Sequence, residues 1–252
     1  MARAVPAVVH AMDVLELFLT EESLTAREIV DRLGLPRTTV HDLLNTLVEG
    51  RFLYRNQDRS LSLGLRLFQL GGVYAERFDL AQQGKVVAER VADRSQETVH
   101  VGILDGRDVV YVVKVDSVHS VRMVSAVGRR IPAHCTAVGK VLLSVLPPAE
   151  VRGRLSSSEP LPALTHNSIT SLHELESVLE TVRESGVAFE EQESNPDVAC
   201  AGAPVYDQQR RVVAAMSVSV PVSRWANRTP SEWGELVVDG AMELSRELGY
   251  RP

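Results

Sequence analysis

Apolar residues at positions 8, 11, 12, 15, 18 and 19 recur at the spacing of one helical face, which predicts a helix over Val8–Leu19. The next periodic segment, Thr25–Leu33, opens with T-A-R-E. In that pattern Thr25 caps the backbone and Glu28 reaches back, while Ile29, Val30 and Leu33 turn inward. Gly34 stops this helix, and Pro36, at the first position of the next, starts it again. Over Pro36–Glu49 the apolar set Val40, Leu43, Leu44, Leu47 and Val48 sits at i, i+3, i+4, i+7 and i+8. Gly50 ends it. The period then falls to two, and Phe52–Tyr54 and Leu61–Leu63 read as short strands around the turn Asn56–Arg59.

Helical spacing returns over Gly64–Arg77, which predicts a linking helix. Three parts follow: a first domain over 1–63, a linker over 64–78 and a second domain over 79–252. In the second domain strands are predicted at Thr98–Leu104, Asp108–Val115, Val121–Val127, Val187–Glu191, Ala199–Tyr206 and Val212–Val220. Helices are predicted at Leu80–Ser95, Thr136–Leu146, Leu172–Ser185 and Pro230–Leu248, the last two behind further capping-box patterns, S-L-H-E at 171 and T-P-S-E at 229. Asp105-Gly106 is a hairpin signal, so the sheet is largely antiparallel. Ser156–Pro162 is read as a surface loop. The class is α+β.

Composition narrows the possibilities. The chain has 252 residues and a net charge of −6, from 27 Lys+Arg against 33 Asp+Glu, which at first disfavours a nucleic-acid partner. Two cysteines make no disulfide framework and suit a reducing compartment. No apolar run approaches the ~18–20 residues of a membrane span. The first residues lack a signal peptide's order because Asp13 and Glu16 interrupt them, so a cytoplasmic location without membrane contact is expected.

Helix, short turn, helix, hairpin is the layout of a winged helix-turn-helix. With Val40 facing the core, Thr38, His41, Asp42 and Asn45 project from the opposite side of the third helix, short and able to hydrogen-bond base edges. Thr39 joins them as a candidate contact. Arg37 lies in the first turn, and Arg55 and Arg59 flank the wing, all three within reach of phosphates. Local charge agrees better than the total: residues 34–66 hold five Arg against three acids, although residues 1–60 hold seven Arg against nine acids. Asp42 opposes phosphate.

In the second domain Ser217 and Ser219 are two apart on one strand, so both hydroxyls face one side, and Cys200 and Gly202 stand in the same relation. Thr136–Lys140 is a loop running into a helix, whose first amides suit an anion, with Lys140 expected in solvent. A carboxylate held by amides and two hydroxyls is the simplest occupant. A cysteine hydrolase would need Cys135 or Cys200 beside a base from His100, His119, His134 or His166, and the spacing supplies no partner. His134-Cys135 in a strand would point apart. No zinc spacing or nucleotide-binding motif is present, so neither an enzyme nor a cofactor is expected.

The string L-T-A-R-E-I-V-D-R-L-G-L-P-R-T-T-V-H-D-L-L-N-T-L-V-E-G-R-F-L resembles the N-terminal domain of the isocitrate-lyase-regulator (IclR) family of bacterial transcription factors. E-T-V-H-V-G-I-L-D-G at 97–106, P-A-H-C-T-A-V-G-K at 132–140, T-H-N-S-I-T at 165–170, C-A-G-A-P-V-Y-D at 200–207 and S-V-S-V-P at 217–221 follow in family order. The resemblance implies a winged-helix head, a linker helix, and a C-terminal effector domain whose curved antiparallel sheet, flanked by helices, is similar to GAF and PAS folds. It implies an effector pocket at Ala137, Val138, Glu190, Cys200, Ser217 and Ser219, with Glu190 standing where members carry Asp. It further implies homodimers through the N-terminal helices, often paired into homotetramers, on a double-stranded DNA operator. The function expected is a ligand-responsive, sequence-specific DNA-binding regulator, repressor or activator, sensing a small organic acid, aromatic acids included. The competing class is a stand-alone sensor or protein-interaction module without DNA binding, which the salt dependence of duplex affinity separates.

Overall fold

In the computed structural model, which describes residues 4–76, 79–119, 125–155 and 160–251, the chain divides into two units, residues 1–78 and 79–252. The first holds α1 (Pro6–Glu16), a 3-10 turn at Leu17–Leu19, α2 (Ala26–Leu33), α3 (Arg37–Glu49), the strands β1 (Leu53–Arg55) and β2 (Leu61–Leu63), and α4 (Leu65–Glu76). Thr25 closes its capping box: Thr25 Oγ1 accepts from the Glu28 N–H at 3.3 Å, and the Glu28 carboxylate accepts from the Thr25 N–H at 2.7 Å. Gly34, at φ 66°, ends α2 in the left-handed region that glycine enters at little cost. Pro36 is the residue before α3 rather than its first member, because its ψ of 137° is extended. Val14, Phe18, Leu24, Ile29, Val40, Leu44, Leu47, Leu53 and Leu61 close one core beneath α3 and the hairpin.

The second unit runs α5 (Asp79–Ser95), β3 (Thr98–Asp105), β4 (Asp108–Val115), β5 (Arg130–Pro132), a 3-10 turn at Ala133–Cys135, α6 (Ala137–Ser144), α7 (Pro148–Leu155), α8 (Leu172–Ser185), β6 (Ala188–Glu191), β7 (Val198–Tyr206), β8 (Val212–Pro221), α9 (Val222–Trp225) and α10 (Pro230–Glu247). The described strands make a curved antiparallel sheet in the order β5-β4-β3-β8-β7-β6. Bulges at Val101/Gly102 and Val205/Tyr206 bend it. One face packs on α5 and α10, where a Cβ on Gly84 would touch Val113 and one on Gly240 would strike Val91 and Met216. The other face receives α6.

Three expectations are corrected here. The strand expected over Val121–Val127 falls partly on 121–124, outside the described residues, and Ser125–Val127 is not a strand; β4 instead pairs with the three-residue β5. Ser171 makes no side-chain cap on α8, although its backbone is extended there, so the S-L-H-E pattern does not close. His134 and Cys135 sit in a 3-10 turn, not a strand.

Candidate ligand cavity and nucleic-acid interface

Strand pairing lays the polar residues of the sheet's α6 side in rows. Glu190 pairs with Cys200, Cys200 with Ser219, and Ser219 with Thr98; two residues along, Ala188, Gly202, Ser217 and His100 pair in turn. Because side chains alternate across a strand, both rows share one face. The start of α6 comes down on them. A Cβ on Gly202 would meet the Ala137 carbonyl carbon at 3.0 Å, and one on Gly139 would sit 2.1 Å from the Ala133 oxygen, so glycine is what lets the turn, helix and sheet approach this closely. Thr136 caps α6, its Oγ1 accepting from the Gly139 N–H at 2.9 Å. The Ala137 and Val138 amides are left as first-turn donors with no acceptor inside the helix.

Between helix and sheet lies a cavity of about 40 Å³. All six residues expected at an effector pocket line it: Ala137, Val138, Glu190, Cys200, Ser217 and Ser219. Sequence reasoning missed His100, Tyr111, Ser125, Arg129, Ile131, Ser194 and Asn195, which line it too. His100 was legible as the one ionisable residue between Val99 and Val101 on a strand, a buried polar position that asks for a partner.

His100 Nδ1 lies 3.2 Å from Ser219 Oγ and Nε2 lies 2.7 Å from Ser125 Oγ. Its ring stacks on Tyr111 with centroids 4.4 Å apart. Burial, reinforced by the Lys114 cation, lowers the imidazole to about 3, so it is neutral at physiological pH. Burial likewise pushes Tyr111 and Cys200 up, and the Cys200 thiol donates to Ser219 Oγ at 3.2 Å.

Glu190 is almost wholly enclosed, and burial raises its carboxyl. Oε1 accepts from the Glu193 and Ser194 amides at 2.7 and 3.0 Å; Oε2 has no partner. Lys140, expected in solvent, is 2% exposed: its ammonium donates to Glu193 Oε1 at 2.5 Å and to the Phe189 carbonyl at 3.0 Å. The T-H-N-S segment locks the turn that carries Glu193. Thr165 Oγ1 donates to the Gln192 carbonyl at 2.6 Å, and Ser168 Oγ donates to the Glu193 carbonyl at 2.7 Å.

In the first unit α3 presents Arg37, Thr38, His41 and Asn45 to solvent, with Arg55 and Arg59 exposed on the wing. Asn45 Nδ2 is 3.0 Å from His41 Nδ1, and Arg55 Nη2 donates to Asn45 Oδ1 at 3.3 Å, which ties wing to helix. Arg59, at φ 68°, turns the wing tip. Thr39 stands apart: half-buried, it lines a groove against α1 with Ala7, Val8, Ala11 and Asp42. Asp42 therefore lies at the edge of the outward face, not at its centre.

The family model for the IclR helix-turn-helix domain matches residues 7–57, and that for the C-terminal part of the bacterial transcriptional regulator IclR matches residues 72–246. The chain belongs to the IclR family. It is 33% identical over 250 residues to the HTH-type transcriptional regulator XynR of Escherichia coli, covering 98% of each chain. It is 32% identical over 243 residues to the HTH-type transcriptional regulator KipR of Bacillus subtilis, covering 96% of this chain and 97% of KipR. A crystal structure of an IclR homologue from Microbacterium hydrocarbonoxydans, complexed with 4-hydroxybenzoate, superposes with a TM-score of 0.82 at 25% identity, covering 96% of this chain and 99% of that one. This IclR-family chain is thus a ligand-responsive, DNA-binding regulator of transcription, with a helix-turn-helix head and an effector-binding C-terminal unit. No helix among the described residues is long and apolar enough to cross a membrane.

Proposed function

We propose that the cavity between α6 and the sheet takes a small carboxylic acid and that its occupancy sets the operator affinity of the winged-helix head. The convergence of two helix amides, two serine hydroxyls and a stacked His100–Tyr111 wall on one enclosed space carries this reading. The carboxylate rests on Ala137 and Val138 N–H and on Ser217 and Ser219, while the flat aromatic wall suits a planar acid. The homologue complexed with 4-hydroxybenzoate supports an aromatic acid as one member of that class.

On the DNA side, Thr38, His41 and Asn45 meet base edges, and Arg37, Arg55 and Arg59 hold phosphates. A single head reads a short half-site, so the working species is a homodimer or homotetramer on a palindrome, acting in the cytoplasm. The protein regulates rather than catalyses. Burial raises both thiols, Cys135 to about 11 and Cys200 well above its usual range, and Cys135 bonds the Pro162 carbonyl instead of a base. An effector shifts DNA affinity only as far as it prefers one state of the protein over another. The test is Ser217→Ala with Ser219→Ala. Operator affinity is expected to persist and the response to the acid to vanish; an unchanged response refutes the pocket.

A further inference from the structure

Glu190 is an anomaly for an anion site: a carboxyl, nearly fully enclosed, facing the space in which a carboxylate is to bind. Its two oxygens are treated differently. Oε1 takes two backbone N–H groups, whereas Oε2 is buried with no hydrogen-bond partner, in a residue that lines the cavity. An ionised carboxylate wants donors at both oxygens; a protonated one is complete with acceptors served at one and its own O–H at the other. The neighbouring Cys200 thiol lies 3.2 Å from Ser219 Oγ and is also within reach of the Glu190 carboxyl, so it is shared between the two.

Charge counting points the same way. The buried cation beneath the cavity, Lys140, is committed to Glu193 and to the Phe189 carbonyl. Lys140 and Glu193 pair with each other, so an ionised Glu190 would have no buried counter-ion, Arg129 on the same cavity being exposed, and burying such a charge is costly. We propose that Glu190 enters the complex as the neutral acid and donates the hydrogen on Oε2 to the carboxylate of the effector. The proposal rests on the carboxylic-acid reading above and assigns Glu190 a donor's part in it: the protein supplies a carboxyl hydrogen where a second fixed cation would otherwise be needed.

The groups facing Glu190 are consistent with this. Burial raises Glu190 and outweighs the hydrogen bonds from the Ser194 and Glu193 amides and from Cys200 that lower it, with the adjoining Glu193 charge adding a little to the rise. Cys200 on β7, Tyr111 on β4 and Cys135 before α6 are all pushed upward by burial, and His100 on β3 is lowered to about 3, so none of the four changes charge between pH 6 and 9. Glu193 is also raised by burial, with the Lys140 ammonium opposing that rise. Arg129 lines the cavity from its exposed side. An incoming carboxylate strengthens the proton's hold on Glu190, because like charges disfavour each other. Bound acid and bound proton are therefore linked, and affinity falls toward about tenfold per pH unit once Glu190 of the free protein ionises.

The full-length protein is titrated with acetate, pyruvate, benzoate and 4-hydroxybenzoate from pH 6 to 9, and the complex with the tightest acid is examined by infrared difference spectroscopy. A protonated-carboxyl band is expected in the complex and is expected to be missing when Glu190→Gln is bound to the same acid. Glu190→Gln, whose amide keeps an acceptor at the Oε1 position and a donor at the Oε2 position, should bind within about threefold of the wild type at pH 6 and lose the decline toward pH 9. Glu190→Ala should bind at least tenfold more weakly. Acids that bind a wild type showing no such band, or that bind Glu190→Gln tenfold more weakly, overturn the donor role while leaving the pocket intact. Failure of all four acids to bind either protein at any pH overturns the carboxylic-acid reading itself and this proposal with it.

Discussion

His100 should make the C-terminal unit sensitive to acid in a way that one substitution removes. The ring is 1% exposed and held neutral to about pH 3, whereas a histidine in the unfolded chain titrates near 6.5. On acidification the unfolded chain takes up the proton first, so stability from this group is complete above pH 6.5 and is lost as pH falls from there toward 3. Over the interval from pH 6.5 to 4.5 the loss is two pH units at about 1.4 kcal/mol each, or about 3 kcal/mol; at pH 6 it is still under about 1 kcal/mol. Urea unfolding monitored by tryptophan fluorescence isolates the relevant unit, since both tryptophans, Trp225 and Trp233, lie in it. His100→Asn, which keeps a polar group within reach of Ser219, serves as reference. Its stability at pH 7.5 will be lower, but that offset cancels when each protein is compared with itself at pH 4.5. The wild type is expected to lose about 3 kcal/mol more than the variant across that range. Parallel losses in the two proteins would mean that the imidazole is protonated inside the fold, and the neutral wall ascribed to the cavity would be wrong.

Lys140→Met leaves Glu193 buried without its cation and should cost about 3–5 kcal/mol in the same assay, while Lys140→Met with Glu193→Met should recover most of it. A double variant as unstable as the single one refutes the charge-compensation account. Thr25→Ala removes the cap on α2 and should cost about 1 kcal/mol, visible as faster hydrogen exchange at the Glu28 amide. Arg55→Ala with Arg59→Ala should flatten the dependence of log K for operator duplex on log salt by about 2, one phosphate contact each. An unchanged slope places both arginines off the DNA.

What the sequence disclosed was whatever a local rule determines. Spacing at 3.6 and the caps at Thr25 and Thr229 located α2, α3 and α10, because a capping box is satisfied within four residues. Asp105-Gly106 placed the β3–β4 hairpin because the turn needs φ > 0, which Gly106 supplies at 65°. Ser171 shows the limit: the pattern names the residues, but which rotamer the serine takes is not a local matter. Lys140 shows it more sharply. Solvent is where most lysines go, and the partner that overrides that preference lies 53 residues away on a turn after β6. The solvent-facing side of α3 was legible by helical angle, whereas Thr39, at 100° per residue, rotates toward α1. Ser125–Val127, the described end of the strand expected from alternation over Val121–Val127, illustrates the converse error. Alternation marks extended backbone, and only pairing makes a strand; β4 finds its partner in Arg130–Pro132 after a turn at Gly128.

The cavity's electrostatics explain why its chemistry was the least legible part. A site built on a fixed cation announces itself as an unexplained Lys or Arg, but here the buried ammonium is neutralised by Glu193 and the imidazole by its own burial. What remains facing the space is mostly dipoles, two helix amides and a set of hydroxyls, together with the Glu190 carboxyl and, on the exposed side, Arg129. Dipoles hold an anion only when several converge on one point, because each alone is worth little against water. Convergence is a property of register: Cys200 opposite Ser219, Gly202 opposite Ser217, and Gly202 small enough to admit Ala137. Replacing Gly202 would therefore harm binding without removing any ligand contact, since any Cβ there lifts the start of α6 off the serines it must work with.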